Sequence, residues 1–171
     1  VTLSPFWIEV TAVTNRQFEQ FANETGYRTE AEKRFGWSFV FDGLIDHRER
    51  KRVRKRMPGA EWWCRVGGAN WRKPEGPRSN LKGRMDHPVV HMSWDDAQAY
   101  CQWAGKRLPT EAEHEYAARG GLSQKRFGWG NELTPDGRHM CNIWQGTFPG
   151  HNTMEDGHLG TAPARSFPPN G

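Results

Sequence analysis

Glu111, Glu113, His114 and Glu115 fall within five consecutive positions of the stretch KRLPTEAEHEYAARGG. Carboxylates and an imidazole this close together could hold a metal or move protons. The zinc-protease pattern H-E-x-x-H needs a second histidine four residues after the first, and that position is Ala118. A helix start accounts for the same residues. Pro109 sets the approach, Thr110 caps the free amides, Glu113 takes the reciprocal capping-box position, and the acidic side chains face the positive end of the dipole. The spacing therefore predicts a capped helix ending near Gly120, not a catalytic cluster.

Three further groups carry candidate chemistry. His87 and His91 stand four apart; on a strand they would face one side and could share a ligand, yet no third partner lies nearby. Structural histidines with satisfied ring nitrogens are the preferred reading. The segment CNIWQGTFPGHNTMEDGHLGTAP is polar and glycine-rich, and offers the mixture of carboxylate, amide and carbonyl oxygens that a hard cation takes. Trp62 and Trp63 are adjacent, so a strand would turn one inward and one outward. Core packing and contact with a partner peptide both remain open for this pair. The three cysteines, at 64, 101 and 141, form no C-x-x-C pair, which excludes a zinc site of the usual spacing.

The elements that must position these groups are short. Thr14 with Gln17, and Ser93 with Asp96, repeat the capping-box grammar of Thr110 with Glu113. The first box precedes Phe18, Phe21 and Ala22 on one helical face; the second precedes Trp94, Ala97, Cys101 and Ala104. WSFVFDG and HPVVHMSW read as short strands, and positions 67–84 as one long ordered loop. With 9 Trp, 9 Phe, 19 Gly and 11 Pro in 171 residues, aromatic plates and turn-rich backbone replace long aliphatic runs. That argues against a helical bundle or a doubly wound parallel sheet. The net charge of +4 is carried by Arg48–Arg56, with seven positive charges and one negative, which leaves the remainder slightly acidic. Without a groove-reading motif or interleaved aromatics, the run reads as a solvated face, and neither nucleic acid nor membrane is expected as a partner.

Taken together, VTNRQFEQFANETGY, GANWRKPEGP, DHPVVHMSWDDAQAYCQWAGKRLPTEAEHEYAARGG, FGWGNEL and NIWQGTFPGHNTMEDGHLGTAPARSFPPNG resemble the formylglycine-generating enzyme family, the sulfatase-modifying factors. The resemblance runs nearly end to end. It implies an α+β fold, poor in regular secondary structure and related to C-type lectin domains, as a single domain over residues 1–171 that looks cut at both ends. It also implies structural calcium (Ca2+) on the side chain of Asn142, the carbonyl of Ile143, the carboxylate of Asp156 and the carbonyl of His158. Cys101 matches a position that can form a disulfide with a cysteine further along the family's chain. Two departures stand out: His114 replaces a usual Trp, and Cys64 and Cys141 match no family cysteine with a role.

The implied reaction is oxidation by O2 of the cysteine in a sulfatase C-x-P-x-R segment to Cα-formylglycine. The catalytic Cu+ would sit on two cysteines of the family's C-terminal part, outside this chain. No catalytic residue is then expected here, only scaffold, a calcium site and part of a substrate groove at Trp62 and Trp63. The alternative is a non-catalytic paralogue or lectin-like module that binds a peptide. The paucity of cysteine leans towards the bacterial cytoplasm over the secretory pathway. Oligomeric state is not encoded legibly.

Overall fold

The computed structural model describes residues 2–170. Two compact units emerge: one spans Val13–Lys106, and the other joins the N-terminal segment up to Ala12 with the chain from Arg107 onward. Helices and small sheets alternate with long irregular stretches, an α+β arrangement. No helix among the described residues is long and apolar enough to cross a membrane.

In the Val13–Lys106 unit, helix α1 (Asn15–Thr25) begins as its sequence dictates. The Thr14 hydroxyl accepts from the Gln17 amide while the Gln17 side chain accepts from the Thr14 amide. The helix stops at Gly26, whose φ of 67° is left-handed. Its face of Phe18, Phe21 and Ala22 builds an aromatic core with Trp71 and Tyr100. Phe18 meets Trp71 edge-to-face at 5.1 Å, and Phe21 meets Tyr100 edge-to-face at 5.7 Å, the geometry that ring quadrupoles favour. Trp71 is fully buried and comes from the 67–84 loop, so one indole pins that loop to the helices.

A three-stranded antiparallel sheet holds a second core. Strand β1 (Trp37–Phe41) pairs with β3 (Ala60–Gly67), and β3 also pairs with the short β2 (Arg56–Met57), giving the order β1-β3-β2. Val40, Cys64 and Val66 on one face pack with Ile45 and Ala69. Between β1 and β2 lies α2 (His47–Arg50), capped by the Asp46 carboxylate at the amides of Arg48 and Glu49. The basic run therefore starts on a one-turn helix and ends on a strand. All of its cationic residues are exposed.

Helix α3 (Trp94–Trp103) corrects one expectation. Its buried residues are Asp96 and Tyr100; of the anticipated face of Trp94, Ala97, Cys101 and Ala104, Cys101 and Ala104 pack against the aromatic core while Trp94 is 66% exposed. The cause is Asp96. Besides closing the capping box on the Ser93 amide at 3.0 Å, its carboxylate accepts from the Tyr27 hydroxyl at 2.9 Å and the Glu30 amide at 3.0 Å. A fully buried carboxylate must be satisfied in this way, and its partners decide which side of the helix turns inward. Burial and the bond to Asp96 also push the Tyr27 hydroxyl well above its usual range.

HPVVHMSW is likewise not a strand. A single bridge joins Pro88 to Thr14, and the chain reverses at His91, which has φ 62°. His87 and His91 therefore do not share a strand face.

The other unit carries α4 (Glu111–Arg119), opened by the predicted Thr110–Glu113 box and closed by Gly120 in the left-handed region. The Asn170 side chain donates to the exposed carbonyls of Ala117 and Ala118 at 2.9 and 2.7 Å, which satisfies its last turn. Further on, the short β4 (Gly146–Thr147) and β5 (His151–Asn152) form a hairpin.

Candidate metal centre

The segments that supply the expected oxygen donors flank the β4–β5 hairpin, and the hairpin's turn back brings them together. Asp156 Oδ2 accepts from the Ile143 amide at 3.2 Å, and Asp156 Oδ1 from the His158 amide at 2.9 Å. The Asn142 side-chain amide donates to the Gly160 carbonyl at 2.7 Å. All four residues, Asn142, Ile143, Asp156 and His158, thus belong to one knot of loop.

Gln145 holds the knot. Its side-chain oxygen accepts from the Asp156 amide at 3.4 Å and its side-chain nitrogen donates to the Ile143 carbonyl; its own carbonyl accepts from Thr153 at 3.1 Å. Asn152 adds acceptor contacts to the amides of Gln145 and Met154. Sequence reasoning passed over Gln145; the only available signal was a polar residue inside NIWQG, and its burial to 8% exposure shows only in three dimensions.

Burial works against a charge on Asp156, yet the bonds from His158, Gln145 and Ile143 outweigh it and hold its carboxyl below the usual range. The group is ionised at neutral pH. The His158 ring packs edge-to-face on Phe167 at 6.0 Å, leaving its backbone carbonyl as the oxygen it can offer. One carboxylate with amide and carbonyl oxygens on irregular backbone suits a hard divalent ion, with water completing the six to eight positions that calcium takes. It does not suit a soft one. Among the described residues no three or more His, Cys, Asp or Glu side chains are grouped so as to hold a metal ion by themselves.

The remaining candidates separate. Trp62 is half-buried and Trp63 is 39% exposed, packed edge-to-face on Phe41 across the β1–β3 pair at 6.1 Å. The alternation expected of a strand is met. His91 is held by the Ser38 hydroxyl at 2.8 Å and the Pro74 carbonyl at 2.7 Å. Burial lowers its pKa, so the ring is neutral and structural. Glu113 accepts a two-pronged ion pair from Arg107 at 2.7 Å and the Thr110 amide at 2.8 Å, which bring its carboxyl down to about 2. Glu115 pairs with Arg119 one turn on. The acidic group at the start of α4 is therefore a cap and an ion pair.

Cys64, Cys101 and Cys141 are free thiols. Cys64 is buried and donates to Asp42 at 3.4 Å. Burial raises the pKa of all three, so none has the low-pKa character of a reactive thiolate.

The family model for the sulfatase-modifying factor enzyme 1-like domain matches residues 1–171. Among similar curated proteins, a formylglycine-generating enzyme of Thermomonospora curvata is 60% identical over 171 residues, covering 100% of this chain and 56% of that protein. A formylglycine-generating enzyme of Mus musculus is 56% identical over 171 residues, covering 100% of this chain and 46% of the relative. An inactive C-alpha-formylglycine-generating enzyme 2 of Bos taurus is 49% identical over 169 residues, covering 99% and 55%. The chain spans about half the length of the curated relatives it matches.

Proposed function

Because the chain belongs to the sulfatase-modifying factor enzyme 1-like family, we propose that it forms part of an oxidase converting the cysteine of a sulfatase C-x-P-x-R segment to Cα-formylglycine with O2. The observation that carries this reading is the match along the whole chain, at 56–60% identity, to proteins named formylglycine-generating enzyme. A lectin-like scaffold, related to C-type lectin domains, is part of the same reading and agrees with the irregular α+β architecture.

Within that activity, the chain's own residues provide support rather than chemistry. Asn142, Ile143, Asp156 and His158 would hold a structural calcium ion, which fixes the loops around the hairpin. Trp62 and Trp63 would offer one half-buried and one exposed indole to an extended sulfatase segment. Copper(I), when bound, supplies activation of oxygen at a sulfur-ligated centre and needs closely placed soft thiolates. Cys64, Cys101 and Cys141 do not fit that role, being dispersed in the chain and held protonated by burial. We therefore assign the copper ligands to residues outside this chain. Cys101, half-buried on α3, is the candidate for a disulfide with that part of the protein. The paucity of cysteine leans slightly towards the bacterial cytoplasm over the secretory pathway.

The test is to produce the protein together with the coding sequence that continues beyond this chain, and to assay a C-x-P-x-R peptide with copper and oxygen. An aldehyde at the cysteine position is expected. Its absence from a folded, copper-loaded preparation overturns the oxidase reading. It would favour the second one, a non-catalytic paralogue or lectin-like peptide-binding module, which the 49% identity to an inactive relative supports.

A further inference from the structure

The basic run plays no part in that reading, and its surroundings point to a binding surface. Internal carboxylates already engage three of its seven cations. Asp42 takes Arg50 and Arg56 at 3.7 and 3.0 Å, and the buried Glu49 takes Arg52 at 3.2 Å, sharing itself with Arg78 at 3.3 Å. The other four, Arg48, Lys51, Arg54 and Lys55, are exposed and have no carboxylate within ion-pair distance among the described residues. Like charges set this close repel one another, and a bound polyanion relieves that repulsion.

Beside them lies a cleft of about 290 Å³ with Leu44 and Ile45 at its apolar side and Asp46, Glu75, Arg78 and Ser79 around it. The cleft adjoins the start of the run. Asp46 lines the first and caps α2 at the amides of Arg48 and Glu49, at 2.7 and 3.2 Å.

We propose that this face of the Val13–Lys106 unit binds an acidic polypeptide segment with an aliphatic anchor residue. The anchor enters the Leu44–Ile45 cleft, and the carboxylates beside it pair with Arg48, Lys51, Arg54 and Lys55. Two features favour a polypeptide over a single-stranded nucleic acid. Such strands are held by stacking bases on aromatic rings, and none of the side chains lining this cleft is aromatic. The exposed Asp46 carboxylate also lines the cleft, where it repels a phosphate but leaves an apolar side chain indifferent. The proposal is independent of the oxidase reading, since binding here involves neither copper nor aldehyde formation.

The experiment uses a fluorescently labelled peptide of one leucine followed by consecutive glutamates, titrated with the purified protein at low and at physiological salt. A control peptide has alanine for leucine, and an oligothymidylate of equal charge tests the nucleic-acid alternative. Saturable binding of the leucine peptide is expected, weakened by salt and weakened roughly tenfold or more in the variant R48E/K51E/R54E/K55E. Leu44→Ala is expected to weaken the leucine peptide several-fold and leave the alanine peptide unchanged. Circular dichroism of both variants checks that they fold; the four reversed side chains are exposed, so a native spectrum is expected. Equal binding by the charge-reversed protein, tighter binding of the oligothymidylate, or no binding of the leucine peptide at low salt each overturns the proposal.

Discussion

Asp156 concentrates the chemistry of the candidate metal centre in one side chain. Both of its oxygens accept backbone amides, from Ile143 and His158, and its own amide is held by Gln145. An ion bound only by the folded chain raises stability in proportion to the logarithm of its concentration over Kd. Chelation is therefore expected to lower the Tm of the wild-type protein. Asp156→Ala is expected to abolish the calcium-dependent part of that Tm, beyond whatever stability it loses by freeing two amides. Calorimetry with and without chelator measures both. A variant whose Tm still responds fully to calcium removes Asp156 from the ligand set.

Among the elements, the 67–84 loop has its largest buried anchor in Trp71. Its backbone closes turn upon turn, its Arg84–Glu75 pair bridges both oxygens, at 2.5 and 2.9 Å, and the fully buried Trp71 inserts into the aromatic core, with Leu81 packed against the same cluster. Trp71→Ala is expected to cost about 3–5 kcal/mol in urea unfolding, as for other large aromatics removed from a close-packed interior. The same substitution is expected to make the loop an early site of proteolysis. A loss under about 1 kcal/mol, with the loop still resistant, would mean that the turns hold themselves. The order of this loop was legible in its Gly, Pro and Asn content, as were the starts of α1, α3 and α4, because caps and turns are written in residues three apart. The burial of Asp96 and the exposure of Trp94 on α3 were not. Asp96 takes Tyr27 and Glu30, 69 and 66 residues away, and no periodicity within the helix encodes partners so distant. Gln145 escaped notice for the same reason: its partners lie across the hairpin at Thr153 and Asp156. The proposed metal donors rest on family resemblance; their spacing alone offered only a polar loop.

At the scale of the whole molecule, His91 ties three separate stretches of the Val13–Lys106 unit. It lies where the chain reverses before α3, and its ring bonds Ser38 on β1 and Pro74 in the long loop. Burial lowers its pKa in the folded state, while the unfolded chain has the ordinary value near 6.5. Below about pH 6.5 the unfolded chain therefore binds a proton that the folded one resists. This contribution to stability is complete above that pH and is lost as the pH falls below it. Unfolding followed from pH 8 to 5 is expected to show the decline, and His91→Gln to flatten it. An unchanged slope in the variant would assign the decline to other groups.

Asp96 has a mechanical consequence of its own. Helices usually fray from their ends, one turn at a time, without disturbing the rest of a protein. The first turn of α3 lacks that freedom, because the carboxylate that stops it from unwinding also anchors Tyr27 and the amide of Glu30. Loosening the tip of this helix releases the segment after α1 in the same event, so a local fluctuation there becomes a concerted opening of two remote stretches of chain.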